Sequence, residues 1–220
     1  MTEASLVIFD CDGVLIDSEI PAARVLTKGL TELGLTTHIA DCHARYRGRA
    51  WRDCIDDIAA QLGRPVPEEW LDGLRSAMRA AIDDGLSAMP HAAPTIDALR
   101  RAQFALCVAS SSNLPYLERV LTATDLIGFF DGNIFSASMV ARGKPAPDLF
   151  LHAAERMGHV PENCVVVEDS LPGVCAARAA GMSVLAYVAD DYSDGERFKR
   201  EGATVIHDLR DVARLVQRAA

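Results

Sequence analysis

Four short stretches of this chain carry side chains that could act on an anion. Asp10 and Asp12 follow the apolar run Leu6-Val7-Ile8-Phe9, with Gly13 just behind them. Ser110-Ser111-Ser112-Asn113 closes a second apolar run that begins at Ala105. Lys144 stands within Arg142-Gly143-Lys144-Pro145, and Glu168-Asp169-Ser170 ends a run that begins at Cys164. Two carboxylates two residues apart repel each other and are costly to place beside a core. A divalent cation is the simplest compensation, since it takes carboxylate oxygens as ligands. One hydroxyl-rich turn, one lysine and four carboxylates form an inventory that fits a phosphate group held beside Mg2+.

Each stretch alone has a plainer explanation. Paired acids are common at turns. Ser-Ser-Ser-Asn is a usual helix N-cap. Lys144 reads equally well as a surface lysine, and Glu168-Asp169 as the cap of a helix starting near Leu171. Their common position raises all four above those explanations. Short β-branched runs at Leu6–Asp10, Ala105–Ser110, Asn133–Phe135, Cys164–Glu168, Val184–Val188 and Thr204–Ile206 read as strands. Between them Pro94–Ala102, Asn113–Ala123, Pro147–Gly158 and Leu171–Gly181 read as helices, with Pro147 suited to a first turn and Gly158 and Gly181 to helix ends. Strands alternating with helices predict an α/β, Rossmann-like parallel sheet covered on both faces. In such a sheet ligands bind outside the carboxyl ends of the strands, where the four stretches fall.

Residues 18–84 break the alternation. Ala23, Leu26, Leu30 and Leu33 follow a helical period, as do Trp51, Ile55, Ile58 and Leu62, and then Trp70, Leu71, Leu74, Met78, Ala81 and Ile82. The expected organisation is a catalytic core of 1–17 and 85–220 with an all-helical cap domain of 18–84 set into it.

The chain has 220 residues, half of them apolar, and a net charge of −9. That balance argues against a nucleic-acid surface, which needs clustered Lys and Arg. No stretch reaches the ~20 apolar residues of a membrane span, and the acidic N-terminus is unlike a signal peptide. A cytoplasmic protein without membrane or nucleic-acid partners is expected. The six cysteines form no CxxC pair and read as reduced, mostly buried thiols. His38, Cys42 and His43 have loosely helical spacing that could touch a metal, although a partly exposed helix explains them as well.

Taken in order, DCDGVLIDSE, VASSSN, RGKPAPDLF and VVVEDSLPGV resemble the four motifs of the haloacid dehalogenase superfamily. The likeness is to the branch with a helical cap after the first strand, which includes the β-phosphoglucomutases and many small-molecule phosphatases. It spans essentially the whole chain. The resemblance implies that Asp10 is a nucleophile forming an aspartyl-phosphate, and that Asp12 is the general acid and then the general base. It implies Mg2+ held by Asp10, the backbone carbonyl of Asp12, Asp169 and Glu168, the last directly or through water. Ser110, helped by the Ser111 N–H, would hold a phosphoryl oxygen, and Lys144 would add positive charge and pair with Asp10. If residues 10 to 12 are extended, the two aspartates face the same way about 6–7 Å apart.

Within the superfamily, the dehalogenases use no Mg2+ and lack an aspartate two residues after the nucleophile, so Asp12, Glu168 and Asp169 favour phosphoryl transfer. The mutases carry a histidine shortly after the first motif, where this chain has Ile20-Pro21-Ala22. They also carry a cap arginine at the place where the alignment puts Trp51, near Arg47-Gly48. The expectation is therefore a phosphatase acting on a sugar or sugar-acid phosphate, with a sugar-phosphate mutase as the alternative and a catalytically silent binding homologue as a remote one. Arg49, Trp51 and Arg52 are the candidate substrate contacts from the cap; a solvated helix face balanced by Asp41, Asp53, Asp56 and Asp57 is the competing explanation for its arginines. A monomer is expected, because the site needs no second chain. The Asp- and Gly-rich segment Tyr187–Lys199 reads as a surface loop near the site rim.

Overall fold

Leu6-Val7-Ile8-Phe9 offers water no polar side chain, and in the computed structural model all four residues are fully buried as the central strand β1 (Leu6–Phe9). The structure describes residues 4–46, 51–189 and 195–218. Along the chain follow β2 (Ile16–Asp17), α1 (Glu19–Glu32), α2 (Ile39–Tyr46), α3 (Trp51–Leu62), α4 (Glu68–Gly85), β3 (Ser87–Ala88), α5 (Ala92–Arg101), β4 (Ala105–Ser110) and α6 (Leu114–Ala123). The remainder comprises β5 (Ile134–Ser136), α7 (Asp148–Met157), β6 (Cys164–Glu168), α8 (Leu171–Ala179), β7 (Ser183–Tyr187), α9 (Gly195–Arg200), β8 (Thr204–Ile206) and α10 (Arg210–Arg218), with three short 3-10 turns between.

Six strands form one parallel sheet in the order β5-β4-β1-β6-β7-β8. The chain builds outward from β1 through β4 to β5, then returns to the other side of β1 for β6, β7 and β8. The strand order thus reverses at β1, between β4 and β6, and such a switch point opens a crevice at the carboxyl ends. Register lines those ends up: Phe9 faces Val108 on one side and Val167 on the other. Continuous apolar runs suit this arrangement, because helices on both faces bury both sets of side chains. Leu6, Ile8, Cys107, Ala109 and Val166 pack with Leu149, Phe150 and Ala153 of α7 and Val174 of α8 in one cluster. Phe9 points the other way and meets Phe130 edge-on, with ring centroids 6.4 Å apart. Full burial of each such side chain stabilises by roughly 1.5–3 kcal/mol.

The chain divides into two compact units, one of Met1–Ile16 with Ser87–Ala220 and the other of Asp17–Leu86. The second unit contains α1 to α4, built on Leu26, Leu30, Cys42, Tyr46, Cys54, Ile58 and Leu74, with Trp70 donating its indole N–H to the Gly29 carbonyl at 3.0 Å. Of the apolar stripe read in residues 51–62, Ile58 is buried and Ile55 and Leu62 pack against the cluster, but Trp51 is exposed, and Cys54 is buried beside them. Trp51 is the first residue of α3.

Other differences from the sequence expectation lie near element ends, where turn chemistry shifts bounds by a residue or two. The segment 187–199 is not one loop. Tyr187 ends β7 and is buried, and α9 begins at Gly195 with Phe198 buried; residues 190–194 lie outside the described ones. The closing helix α10, which buries Val212 and Val216 one helical turn apart, was not anticipated from its short, Arg-rich sequence. No helix among the described residues is long and apolar enough to cross a membrane.

Candidate active site

The first strand stops at Phe9, and the chain turns at once. The N–H groups of Leu15 and Ile16 both donate to the Cys11 carbonyl, and the Gly13 N–H donates to the Ile16 carbonyl at 2.9 Å. The turn begins at Cys11 and takes in Asp12, which forms an isolated bridge with Ile16, so the two aspartates do not share one extended strand. The Asp10 N–H still reaches the Val167 carbonyl of β6 at 2.9 Å, which pins the first aspartate between strands. Gly13 adopts φ +78°, a conformation that L side chains rarely take. A Cβ there would also run into the carboxylate of Asp169.

Three of the four motifs meet in one buried contact. Lys144, from the segment between β5 and α7, donates from Nζ to Asp10 Oδ1 and to Glu168 Oε1, each at 2.6 Å. Its side chain is only 3% exposed, and the ammonium lies 4.9 Å from the centre of the Phe150 ring. The second oxygen of Glu168, Oε2, accepts the Ser170 N–H at 2.6 Å. Ser170 in turn caps α8, its hydroxyl accepting the Gly173 N–H at 3.2 Å. Gly173 is required by this packing, because a Cβ would overlap the Glu168 carboxylate. Glu168 thus leaves capping to its neighbour and faces inward.

Carboxylate oxygens of Asp10, Glu168 and Asp169 come within 4.8 Å of one another, and all three residues are buried. Burial pushes the Asp10 carboxyl well above its ordinary range; Lys144 opposes this, while Glu168 and Asp169 reinforce it. Burial also works against the charged form of Lys144, yet Asp10 and Glu168 outweigh it, and the lysine is held protonated far into the basic range. Hard oxygen donors spaced this closely fit a small divalent cation.

The Asp12 carboxylate belongs to a different set of contacts. Ser112 donates its hydroxyl to Oδ2 at 2.9 Å and Tyr116 donates its phenol to Oδ1 at 2.6 Å. The serine-rich turn supplies both partners through its geometry. Asn113 caps α6, accepting the Tyr116 N–H at 3.0 Å, and the Ser112 N–H donates to Ser110 Oγ at 3.2 Å. Ser136, fully buried at the end of β5, fixes the turn from beneath by donating to the Ser112 carbonyl at 2.7 Å. The capping explanation and the site explanation of this stretch are therefore both correct, for different residues. Ser110 is buried and Ser111 is exposed. Tyr116 was missed from the sequence; an asparagine cap with an aromatic three residues on was the available signal.

In the helical unit, Trp51 and Arg52 are exposed on α3. Arg49 lies outside the described residues. His38 is exposed and Cys42 is buried in the helical core, and among the described residues the one group able to hold a metal is the Asp10, Glu168 and Asp169 cluster.

A family model described as haloacid dehalogenase-like hydrolase matches residues 4–181. The chain is 28% identical over 194 residues to a 6-phosphogluconate phosphatase of Escherichia coli, covering 88% of this chain and 86% of that one. It is 30% identical over 202 residues to a phosphorylated carbohydrates phosphatase of Thermotoga maritima, covering 91% and 92%. Among solved structures, an HAD family hydrolase of Deinococcus radiodurans with bound phosphate and sodium superposes with a TM-score of 0.89 at 31% identity, covering 100% of this chain and 97% of that one. A match over most of the length, with the motif residues drawn together at the switch point of the sheet, establishes that the chain belongs to the haloacid dehalogenase-like hydrolases.

Proposed function

We propose that this enzyme is a Mg2+-dependent phosphatase that hydrolyses the monoester of a small phosphorylated sugar or sugar acid through a phosphorylated Asp10. The observation that carries the reading is the buried contact of Lys144 with Asp10 and Glu168, with Asp169 alongside, at the switch point of the sheet. The names of the two phosphatase relatives support the substrate class.

Asp10, Asp169 and Glu168 would hold the cation, with the backbone carbonyl of Asp12 as a further ligand. Bound there, Mg2+ supplies positive charge to the phosphoryl oxygens. Lys144 opposes the effect of burial on the Asp10 carboxyl and orients it through Oδ1. The Asp10 carboxylate attacks phosphorus, the bond to the leaving oxygen breaks, and Asp12 gives that oxygen its proton. Water then attacks the phosphorus of the acyl phosphate, losing its proton to Asp12, and inorganic phosphate departs as the Asp10 carboxylate is regenerated. Ser110 accepts the Ser112 N–H through its oxygen, which leaves its own hydroxyl proton to donate to a phosphoryl oxygen, beside the Ser111 N–H. The roles of Arg49, Trp51 and Arg52 in substrate choice rest on family resemblance.

A panel of sugar and sugar-acid phosphates, ranked by kcat/KM from phosphate release, tests this. The expected result is Mg2+-dependent turnover with a preference among small polyol and aldonate esters. Glucose 6-phosphate formed from β-glucose 1-phosphate with a bisphosphate primer would replace it with a mutase, and halide release from 2-chloropropionate with a dehalogenase.

A further inference from the structure

Asp12 has an unusual pair of hydroxyl partners. Both of its carboxylate oxygens accept from α6 and the turn before it, Oδ2 from Ser112 and Oδ1 from Tyr116, at 2.9 and 2.6 Å. The Tyr116 contact is the shorter of the two. The tyrosine backbone is itself fixed, since its N–H meets the Asn113 cap at 3.0 Å. Ser112 is held from below by Ser136, whose hydroxyl also contacts that of Ser138 at 2.8 Å. The two donors therefore reach Asp12 from one rigid platform, the first turn of α6 anchored to the end of β5. A carboxylate held at both oxygens loses rotation about χ2, which fixes the direction in which it presents a lone pair or a proton.

We propose that Tyr116 is a positioning residue that fixes the Asp12 carboxylate in the orientation needed for proton transfer to the leaving oxygen. This rests on the assignment of Asp12 as general acid in the phosphatase reading. Tyr116 acts through Asp12. Its effect falls on the step in which the leaving oxygen needs a proton, and vanishes where the leaving group departs as a stable anion. An alkyl phosphate belongs to the first class and p-nitrophenyl phosphate to the second.

The test is Tyr116→Phe, which removes one oxygen and keeps the ring. Leaving-group release is followed in a single turnover with the enzyme in excess, so that hydrolysis of the phosphoryl-enzyme does not enter. Alcohol release from the best alkyl phosphate of the panel should slow about tenfold, a size consistent with losing one hydrogen bond. Nitrophenolate release should slow less than about twofold, and steady-state KM for the alkyl ester should stay within about twofold, because ground-state binding is untouched. Ser112→Ala, which frees the other oxygen, should reproduce the same split. Equal slowing of both leaving groups, a change confined to KM, or no slowing overturns the proposal. A native enzyme that releases phosphate from no monoester overturns the phosphatase reading instead.

Discussion

The two units of the molecule handle charge in opposite ways. In the sheet unit, Asp10, Glu168, Asp169 and the Lys144 side chain are buried, with Lys144 bonded to Asp10 and Glu168 and Glu168 also to backbone. In the helical unit, charge stays near water: Arg45 pairs with Asp57, and Arg75 with Asp72 and Glu68, through side chains that keep much of their exposure. Its buried cluster is apolar apart from Tyr46. A buried charge network is strongly coupled to its surroundings, so a change in one member is felt by all. An exposed pair is nearly independent of the fold. The first unit is built to hold one chemical arrangement, and the second can exchange surface residues at little cost to stability.

The largest consequence should follow from the nucleophile. Asp10→Asn keeps the shape of the side chain and an oxygen that can still accept from Lys144, so the variant should fold. Phosphate release should fall at least about 10⁴-fold, the scale on which loss of a covalent catalyst acts. Far-UV circular dichroism and an unchanged elution volume check the fold, and stopped-time phosphate assays check the rate. Activity near the native level would remove Asp10 from its role.

Next comes Lys144→Ala. It takes away the one ammonium in contact with Asp10 and Glu168 and leaves their carboxylates buried without it. Breaking a buried ion pair from one side costs about 3–5 kcal/mol. Urea unfolding without divalent metal should show a loss on that scale. A loss below about 1 kcal/mol would mean that the cluster is more hydrated than its burial indicates.

Chelation probes the same carboxylates from the other direction. EDTA should silence phosphate release, and excess Mg2+ should restore it. Apart from activity, Mg2+ should raise the melting temperature, because a ligand that binds only the folded chain stabilises it, by about 2.7 kcal/mol at a hundredfold excess over Kd. Asp169→Ala should abolish that thermal shift. If Mg2+ moves neither activity nor melting temperature, the carboxylate cluster is not a cation site.

These expectations also mark what could be read from residue order. The strands bearing the four motifs were legible because runs such as Cys164–Glu168 are apolar at every position, a pattern that a parallel sheet covered on both faces produces. That Asp10, Lys144 and Glu168 fall on one edge of the sheet was legible from their places at strand ends, but the pairing of Lys144 with Asp10 only through family likeness. Their contacts span up to 134 residues of sequence and depend on strand order, which local pattern does not encode. Tyr116 shows the boundary most clearly. Its partner Asp12 lies 104 residues away, and the pairing is set by the register of β1 against β4 and by the direction in which Asn113 starts α6. The error over Asp10 and Asp12 was local: the extended spacing was assumed to run past Phe9, where Gly13 instead turns the chain. Trp51 falls on the helical period of α3 and is nonetheless exposed, since a period shows which residues share a face and not how deeply each is buried.

The smallest effect belongs to the helical unit and is the sharpest test of the contrast. Arg45 grips Asp57 with two parallel bonds, Nε to Oδ2 at 2.7 Å and Nη2 to Oδ1 at 2.9 Å. Gln61 donates to the same carboxylate at 3.0 Å, and the guanidinium lies 5.9 Å from the centre of the Tyr46 ring. On geometry alone this is as well made as the Lys144 contact. Its setting differs: the Arg45 side chain is 49% exposed, whereas that of Lys144 is 3% exposed. Water already solvates much of what the pair would otherwise gain, so Arg45→Ala should cost no more than about 1 kcal/mol, and less in high salt. Gln61 would remain to satisfy Asp57. Urea midpoints for the two alanine variants at low and high ionic strength decide the matter. Similar losses, with similar salt dependence, would mean that bond geometry and not burial sets the worth of these charges, and the distinction between the two units would fail.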